Sequence, residues 1–244
     1  MFGQSFPIFL ARGNHDDGTW SGFKSEAANH LGGATRTAGS HDAAYKTVFK
    51  GLTIVNIKKG DTAITINNLF GADDHIWRVC GWHQNQNKMQ VGAKGDEMGW
   101  EVYEACRKKG AIIISGHEHS YHRTKSLTNT KTQTIDSTCS SGSSLCVGAA
   151  TAGKERTFVA VVGTGGTGLR SQVRCTPSST SPPYASLSTD TGCPIWASIY
   201  TSTQKAKFGA LFITFNVDGN TKKARAYFKD IGGKTIDTFD ITAD

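Results

Sequence analysis

The sequence predicts an α/β or α+β domain, and three observations predict it. Short apolar runs of strand length recur along the chain, as at residues 111–114 and 158–162. Residues 96–109 instead show helical spacing, with Met98, Val102, Tyr103 and Cys106 on one side and Gly110 as the stop. Polar clusters that carry histidines follow three of the predicted strands, and strand ends are where sheet proteins gather functional groups.

The elements follow in order. Residues 6–11 form a short apolar run that ends in Arg12-Gly13-Asn14-His15-Asp16, which predicts a buried strand and a polar loop. Residues 47–57 predict one or two strands broken by Gly51. Residues 62–67 alternate in the manner of a strand, and residues 76–82 form another that delivers His83. After the helix at 96–109, the strand at 111–115 opens into Gly116-His117-Glu118-His119. Two Ser/Thr-rich stretches, at about 124–153 and 171–203, read as surface loops or insertions in a single domain spanning 1–244. Between them lie a strand at 157–162 and the glycine-rich segment Gly163-Thr164-Gly165-Gly166-Thr167-Gly168. From Gly209 onward, three strand-like runs separated by turns at 218–220 and 232–233 predict a meander.

Composition narrows the function. No apolar run approaches the roughly 18 residues of a membrane span. The net charge of +7 favours anionic partners. The basic residues are scattered and not interleaved with aromatics, which argues against nucleic acid. The six cysteines, Cys80, Cys106, Cys139, Cys146, Cys175 and Cys193, contain no C-x-x-C pair. An even count in a Ser/Thr/Gly-rich chain points to disulfides and a secreted or luminal protein. The local pairs Cys139–Cys146 and Cys175–Cys193 are the simplest, with Cys80–Cys106 left over; buried free thiols are the alternative. The first residues lack the basic and apolar regions of a signal peptide.

Asn14, His83, His117 and His119 are the residues of interest for metal chemistry. Each alone has an ordinary reading: a solvated strand-end histidine, or Asn and Asp bonding a turn. On a strand, His117 and His119 share a face, because side chains alternate with period two. Imidazole and amide donors together suit Zn, Fe or Mn. His30, His41 and the run Asp73-Asp74-His75 are assigned no catalytic role.

GNHD, a later strand-terminal histidine and GHEHSYHR resemble, in order, the motifs of the calcineurin-like metallophosphoesterases. The last, with His117, His119, Tyr121 and Arg123, is most similar to the purple acid phosphatase branch. VVGTGGTG and the closing strands resemble later parts of that domain. The resemblance implies a four-layer α/β/β/α sandwich with its site at the strand ends. It implies two divalent or trivalent metal ions (Fe, Zn or Mn), Asn14, His83 and His117 holding one and His119 the other. It makes His15 the general acid with Asp16 as its partner, and makes Arg123 and His122 substrate contacts, with a structural ion pair the alternative for Arg123. The activity it implies is hydrolysis of phosphoric esters.

The family pattern begins with Asp-x-His/Gly and Gly-Asp-x-x-Asp/Tyr ahead of GNHD. The residues ahead of Asn14 contain no Asp, Glu or His. The sequence is therefore expected to be an N-terminally truncated piece of the domain. A gene start placed too late, an N-terminal segment supplied as a separate chain or assembly partner, and a degenerate relative are the explanations. The rival function is a non-catalytic extracellular binding or structural protein on a degenerate scaffold.

Overall fold

A computed structural model describes residues 5–30, 32–40, 42–149, 152–177, 179–186 and 188–244. Residues 6–11, expected as a buried strand, form none; among the described residues Ile8 N donates to His30 O. Helix α1 (Trp20–Asn29) and strand β1 (Thr35–Gly39) follow, neither of them foreseen. Strands β2 (Tyr45–Phe49) and β3 (Leu52–Asn56) make the expected broken pair. Lys50 and Gly51 both have positive φ, 49° and 79°, the signature of the type I′ turn that suits a two-residue hairpin.

The alternating stretch at 62–67 is a helix, α2 (Ala63–Phe70), and not a strand. Thr62 and Thr65 form a reciprocal capping box, and Ile66 and Phe70, four apart, are buried. Helical geometry turns Ile64 away from the core and leaves it 70% exposed. Strand β4 (Trp77–Gly81) precedes helix α3 (Trp100–Lys108), which begins later than predicted. Asp96 lies before it, accepting from Gln86 Nε2 at 2.7 Å and Asn87 N at 2.8 Å.

Strands β5 (Ile112–Ser115) and β6 (Tyr121–Thr124) flank the second histidine cluster. The two Ser/Thr-rich stretches are not merely surface loops. The first contributes β7 (Leu127–Asn129), β8 (Thr134–Ile135) and β9 (Ser144–Val147), and buries Ser126, Thr130 and Asp136. Strand β10 (Val159–Val162) comes next; the second stretch then contains β11 (Trp196–Tyr200), every residue of which is buried. Side-chain hydroxyls hide this role, because they reach the core by bonding backbone, as Ser126 Oγ does in accepting from Cys146 N at 2.8 Å. The meander appears as β12 (Gly209–Phe215), β13 (Lys223–Asp230) and β14 (Thr235–Ala243).

These strands form an eight-stranded sheet in the order β1-β2-β3-β4-β5-β10-β6-β11, a four-stranded sheet in the order β12-β13-β14-β9, and a small β7-β8 pair. The middle of the large sheet, β3-β4-β5-β10, is parallel. Helices α2 and α3 cover one of its faces, where Val55, Ile66, Phe70, Val102 and Ile113 share a core. The small sheet covers the other, where Ile112 and Phe158 meet Leu145, Phe239 and Ile241. Ile112 and Ile113 enter opposite cores because successive strand residues face opposite ways. Helices, the large sheet and the small sheet thus stack in layers, the mixed α/β architecture expected.

All three disulfides join the simplest partners: Cys80–Cys106 ties β4 to α3, and Cys139–Cys146 and Cys175–Cys193 close local loops. An ion pair joins the two sheets. Arg123 on β6 makes a two-pronged contact with Asp237 on β14, at 2.8 and 2.9 Å. Tyr121 Oη donates to the same carboxylate at 2.6 Å, and Arg123 lies over the Phe239 ring at 3.9 Å. Replacing Asp237 by Asn leaves a buried guanidinium without its counter-charge. The expected loss of unfolding free energy is about 3–5 kcal/mol in urea denaturation; a loss below about 1 kcal/mol contradicts this role.

Asp73 is a second hub. Its side chain, 3% exposed, holds Lys46 of β2 at 2.8 Å and Arg78 of β4 at 3.2 Å, and accepts from Thr53 of β3 at 2.8 Å. Burial opposes its ionisation, but the bonds from Lys46, Thr53 and His75 outweigh that and hold its pKa well below the usual carboxylate value. A depressed folded pKa contributes stability that is present above the unfolded value of about 3.9 and lost as pH falls below it. Asp73→Asn is therefore expected to lower stability near neutral pH and to shrink the further loss on acidification, read from urea midpoints across the acid range. Parallel acid limbs for the two proteins would refute it.

Candidate metal centre

The parallel pairing of β4 and β5 brings two distant histidines together. Gly81 stands opposite Ile114, so the chain leaves both strands at one edge of the sheet, two residues before His83 and two before Gly116. Gly116 N donates to His83 O at 3.2 Å and keeps the exits in step. His117 then takes a left-handed conformation, φ 64°. That conformation is costly for a residue with a Cβ, by roughly 1–3 kcal/mol, and such strain concentrates at functional sites. The 117–119 segment lies between strands and is not part of one, so the expected common face for its two imidazoles does not arise.

His117 Nδ1 lies 3.0 Å from His83 Nε2, and Asn14 Oδ1 lies 3.0 Å from the same nitrogen. Two ligands about 2.1 Å from one metal, at right angles, stand about 3 Å apart. Each of these two separations matches a pair of neighbouring vertices around a metal, and the imidazole, imidazole and amide donor set suits Zn, Fe or Mn. Among the described residues there is no group of three or more His, Cys, Asp or Glu placed to hold a metal, so the fit rests on Asn14 as the third donor.

Each donor is held from behind. Gly13 is packed so closely on His83 that a Cβ there would lie 3.0 Å from the ring. Tyr45 Oη donates to Leu10 O and accepts from Asn56 Nδ2, both at 2.7 Å, which moors the chain leading to Asn14 to β2 and β3. His117 Nε2 lies 2.6 Å from Glu97 Oε2, which sets a carboxylate behind this imidazole. Asn85 Nδ2 donates to Gly116 O at 2.6 Å, and Asn85 Oδ1 accepts from Ser115 Oγ at 2.5 Å. Burial lowers the pKa of His83 and brings that of His117 down to about 4, against the pull of the neighbouring carboxylates. A neutral ring keeps a lone pair for a metal.

His119 faces a different neighbour. Its Nδ1 is 2.9 Å from Gly168 O, and Arg170 N donates to His119 O at 2.9 Å. The glycine-rich segment thus supports the histidine loop. A Cβ on Gly163 would lie 1.9 Å from Glu118 O, so only glycine fits beneath that loop. Glu118 itself turns inward against Gly92, where a Cβ would meet its carboxyl carbon at 2.1 Å, and burial pushes its pKa up.

The remaining expected residues lie as follows. His15 is exposed beside this cluster. Asp16, expected as its partner, instead accepts from Gly13 N at 2.6 Å and closes the turn. Arg123 and His122 are both fully buried, so neither is a substrate contact in this structure. Arg123 is spent on Asp237, and His122 sits edge-on to Trp196 with Nδ1 3.1 Å from Ser120 Oγ. His30 is buried between Phe6 O and Glu26, His75 belongs to the Asp73 network, and His41 lies outside the described residues. Glu97, Asn85 and Tyr45 were not singled out from sequence; they act through tertiary contacts that no local pattern announces.

Parallel strands under helices, backed by a second sheet and carrying a histidine and asparagine cluster at the strand exits, define a metallophosphoesterase architecture. Residues 1–121 match the family model for the calcineurin-like phosphoesterases, a span that ends just past the second histidine cluster. The likeness to the calcineurin-like phosphoesterases thus covers just under half of the chain, 121 of its 244 residues. The structure of the purple acid phosphatase PPD1 isolated from yellow lupin (Lupinus luteus) seeds superposes with a TM-score of 0.61 over 98% of this chain, at 16% identity. The chain spans 39% of that protein's length. No curated protein matches the sequence.

Gly13→Ala is the most local test of the donor geometry. The added methyl must displace the His83 ring, so metal affinity is expected to fall about tenfold or more in chelator competition, with the circular dichroism spectrum unchanged. Unaltered affinity would show that His83 is not held for a metal.

Proposed function

We propose that this chain carries the catalytic centre, or a large part of it, of a metal-dependent phosphoester hydrolase of the phosphatase kind. The observation that carries this reading is the approach of Asn14 Oδ1 and His117 Nδ1 to within 3.0 Å of His83 Nε2. Asn14, His83 and His117 would hold one metal ion, and His119, whose Nε2 is left open by the Gly168 contact, would serve a second. Metal ions in such a centre neutralise the phosphoryl oxygens and make water nucleophilic near neutral pH.

The chain's own residues supply the rest. His15, exposed and next to Asn14 in the sequence, would protonate the departing alcohol oxygen, a task suited to imidazole near neutral pH. Asp16 holds the turn that presents His15 by capping Gly13 N. Glu97 keeps the His117 ring oriented with Nδ1 toward the centre. The three disulfides support a secreted or luminal setting, where oxidising conditions keep them formed. No helix among the described residues is long and apolar enough to cross a membrane.

The test is metal content and p-nitrophenyl phosphate turnover of the purified protein and two variants. His117→Ala is expected to lose bound metal and activity together. His15→Ala is expected to keep its metal and lose about 10²-fold or more in kcat. Metal bound without any turnover would sink the hydrolase reading and leave a binding protein on this scaffold.

A further inference from the structure

The segment between Cys175 and Cys193 differs in composition from the rest of the chain. Nine of its seventeen residues, 176–192, are Ser or Thr and three are Pro, while Asp190 is its one charged residue. A stretch so poor in apolar side chains holds no core of its own. It is fastened to the fold instead. The Cys175–Cys193 disulfide joins its ends, and Tyr184 stacks on Tyr200 with ring centroids 6.0 Å apart. Pro183 O accepts from Ser198 Oγ at 2.8 Å, and Ser186 N donates to Trp196 O at 3.2 Å.

The hydroxyls of this loop fall into two groups. Serines turn the chain. Ser179 Oγ donates to Ser181 O at 2.7 Å, Ser186 Oγ accepts from Ser188 N at 3.3 Å, and Ser188 Oγ accepts from Asp190 N at 3.2 Å. The threonines do not share that work. Thr176, Thr180, Thr189 and Thr191 are all exposed, and among the described residues none of their hydroxyls has a hydrogen-bond partner. Thr176 directly precedes Pro177, which biases it to an extended backbone. The other Ser/Thr-rich stretch, 124–153, sets the contrast. It contains no proline, and its described exposed threonines are engaged: Thr132 and Thr134 bond each other at 2.8 Å, and Thr138 donates to Asp136 at 2.7 Å.

We propose that the 176–192 loop is an O-glycosylation site, carrying hexose or N-acetylhexosamine units on Thr176, Thr180, Thr189 and Thr191. A transferase joins threonine Oγ1 to the anomeric carbon of a phosphate-activated sugar. The bond from that carbon to the phosphate oxygen breaks, the phosphate leaves with the bonding electrons, and the hydroxyl proton is released. Ser/Thr-rich segments with proline are the kind that carry such sugars, and the three disulfides support the secretory setting in which they are added. Modification here depends on the exposure and composition of the loop, so it is independent of whether the centre hydrolyses phosphoesters.

The test is mass spectrometry of the full chain secreted from a eukaryotic cell that O-glycosylates its own secreted proteins. The sequence contains no Asn-x-Ser/Thr, so a sugar increment on the intact protein reports O-linkage. Neither Lys nor Arg lies between Arg174 and Lys205, so after reduction trypsin releases the loop within one peptide, 175–205. That peptide is expected to carry sugar, placed by electron-transfer fragmentation on the four threonines, with Ser179, Ser186 and Ser198 bare. The peptides holding Thr132, Thr134 and Thr138 are expected to be bare as well. Replacing all four loop threonines (Thr176→Ala, Thr180→Ala, Thr189→Ala, Thr191→Ala) is expected to abolish the increment and leave the circular dichroism spectrum unchanged, because these side chains are exposed. An unmodified 175–205 peptide from the native chain overturns the proposal, as does an increment that survives in the quadruple variant.

Discussion

The contact between Arg123 and Asp237 is the constraint on which the rest of this structure leans. It is a two-pronged ion pair with neither side chain exposed beyond 1%, and it joins the two sheets of the fold. Tyr121 spends its hydroxyl on the same carboxylate, and the Phe239 ring closes over the guanidinium. Taking these charges out of water is costly, and only full pairing compensates it. The pair therefore tolerates one arrangement of β6 against β14. That arrangement sets where β6 begins, and the residues just before it are His117, Glu118 and His119.

The centre is built from chain segments that share nothing in sequence but share an edge in space. Parallel β3, β4 and β5 discharge their loops together, which puts Lys58, His83 and His117 within one neighbourhood. Small residues make the final approach: Gly13 on His83, Gly92 on Glu118 and Gly163 on the 118–119 peptide each occupy space that a Cβ would fill. Tyr45 moors the Asn14 loop through Leu10, although residues 6–11 form no strand. The site is thus held by side-chain bonds and close packing more than by the regular hydrogen bonding of its own loops.

Much of this was legible beforehand. The strands at 76–82 and 111–115, the closing meander and the histidine clusters were all visible as apolar runs ended by polar residues, because a strand buried on both faces leaves that mark in any sequence. Other elements left no such mark. α2 alternates over its first residues and reads as a strand until Phe70 completes the helical spacing. β11 hides in a Ser/Thr-rich stretch because Ser198 donates to Pro183 O and so buries its hydroxyl without penalty. The role of Arg123 was open on sequence, since a motif fixes which residue occurs and not which way its side chain turns.

By itself, the sequence determined the kind of residue available: asparagine and histidines in a fixed order after strand-like runs, an even number of cysteines, and a net positive charge. These are properties of residue type and local pattern, and they survive any ignorance of the fold. Only the tertiary structure decided which donors converge, that Asp16 closes a turn and Arg123 binds the sheets together, and that Glu97, Tyr45 and Lys58 stand around the centre. Those decisions depend on register between strands and on the few ångströms left by glycines, quantities that exist only once the chain has packed against itself.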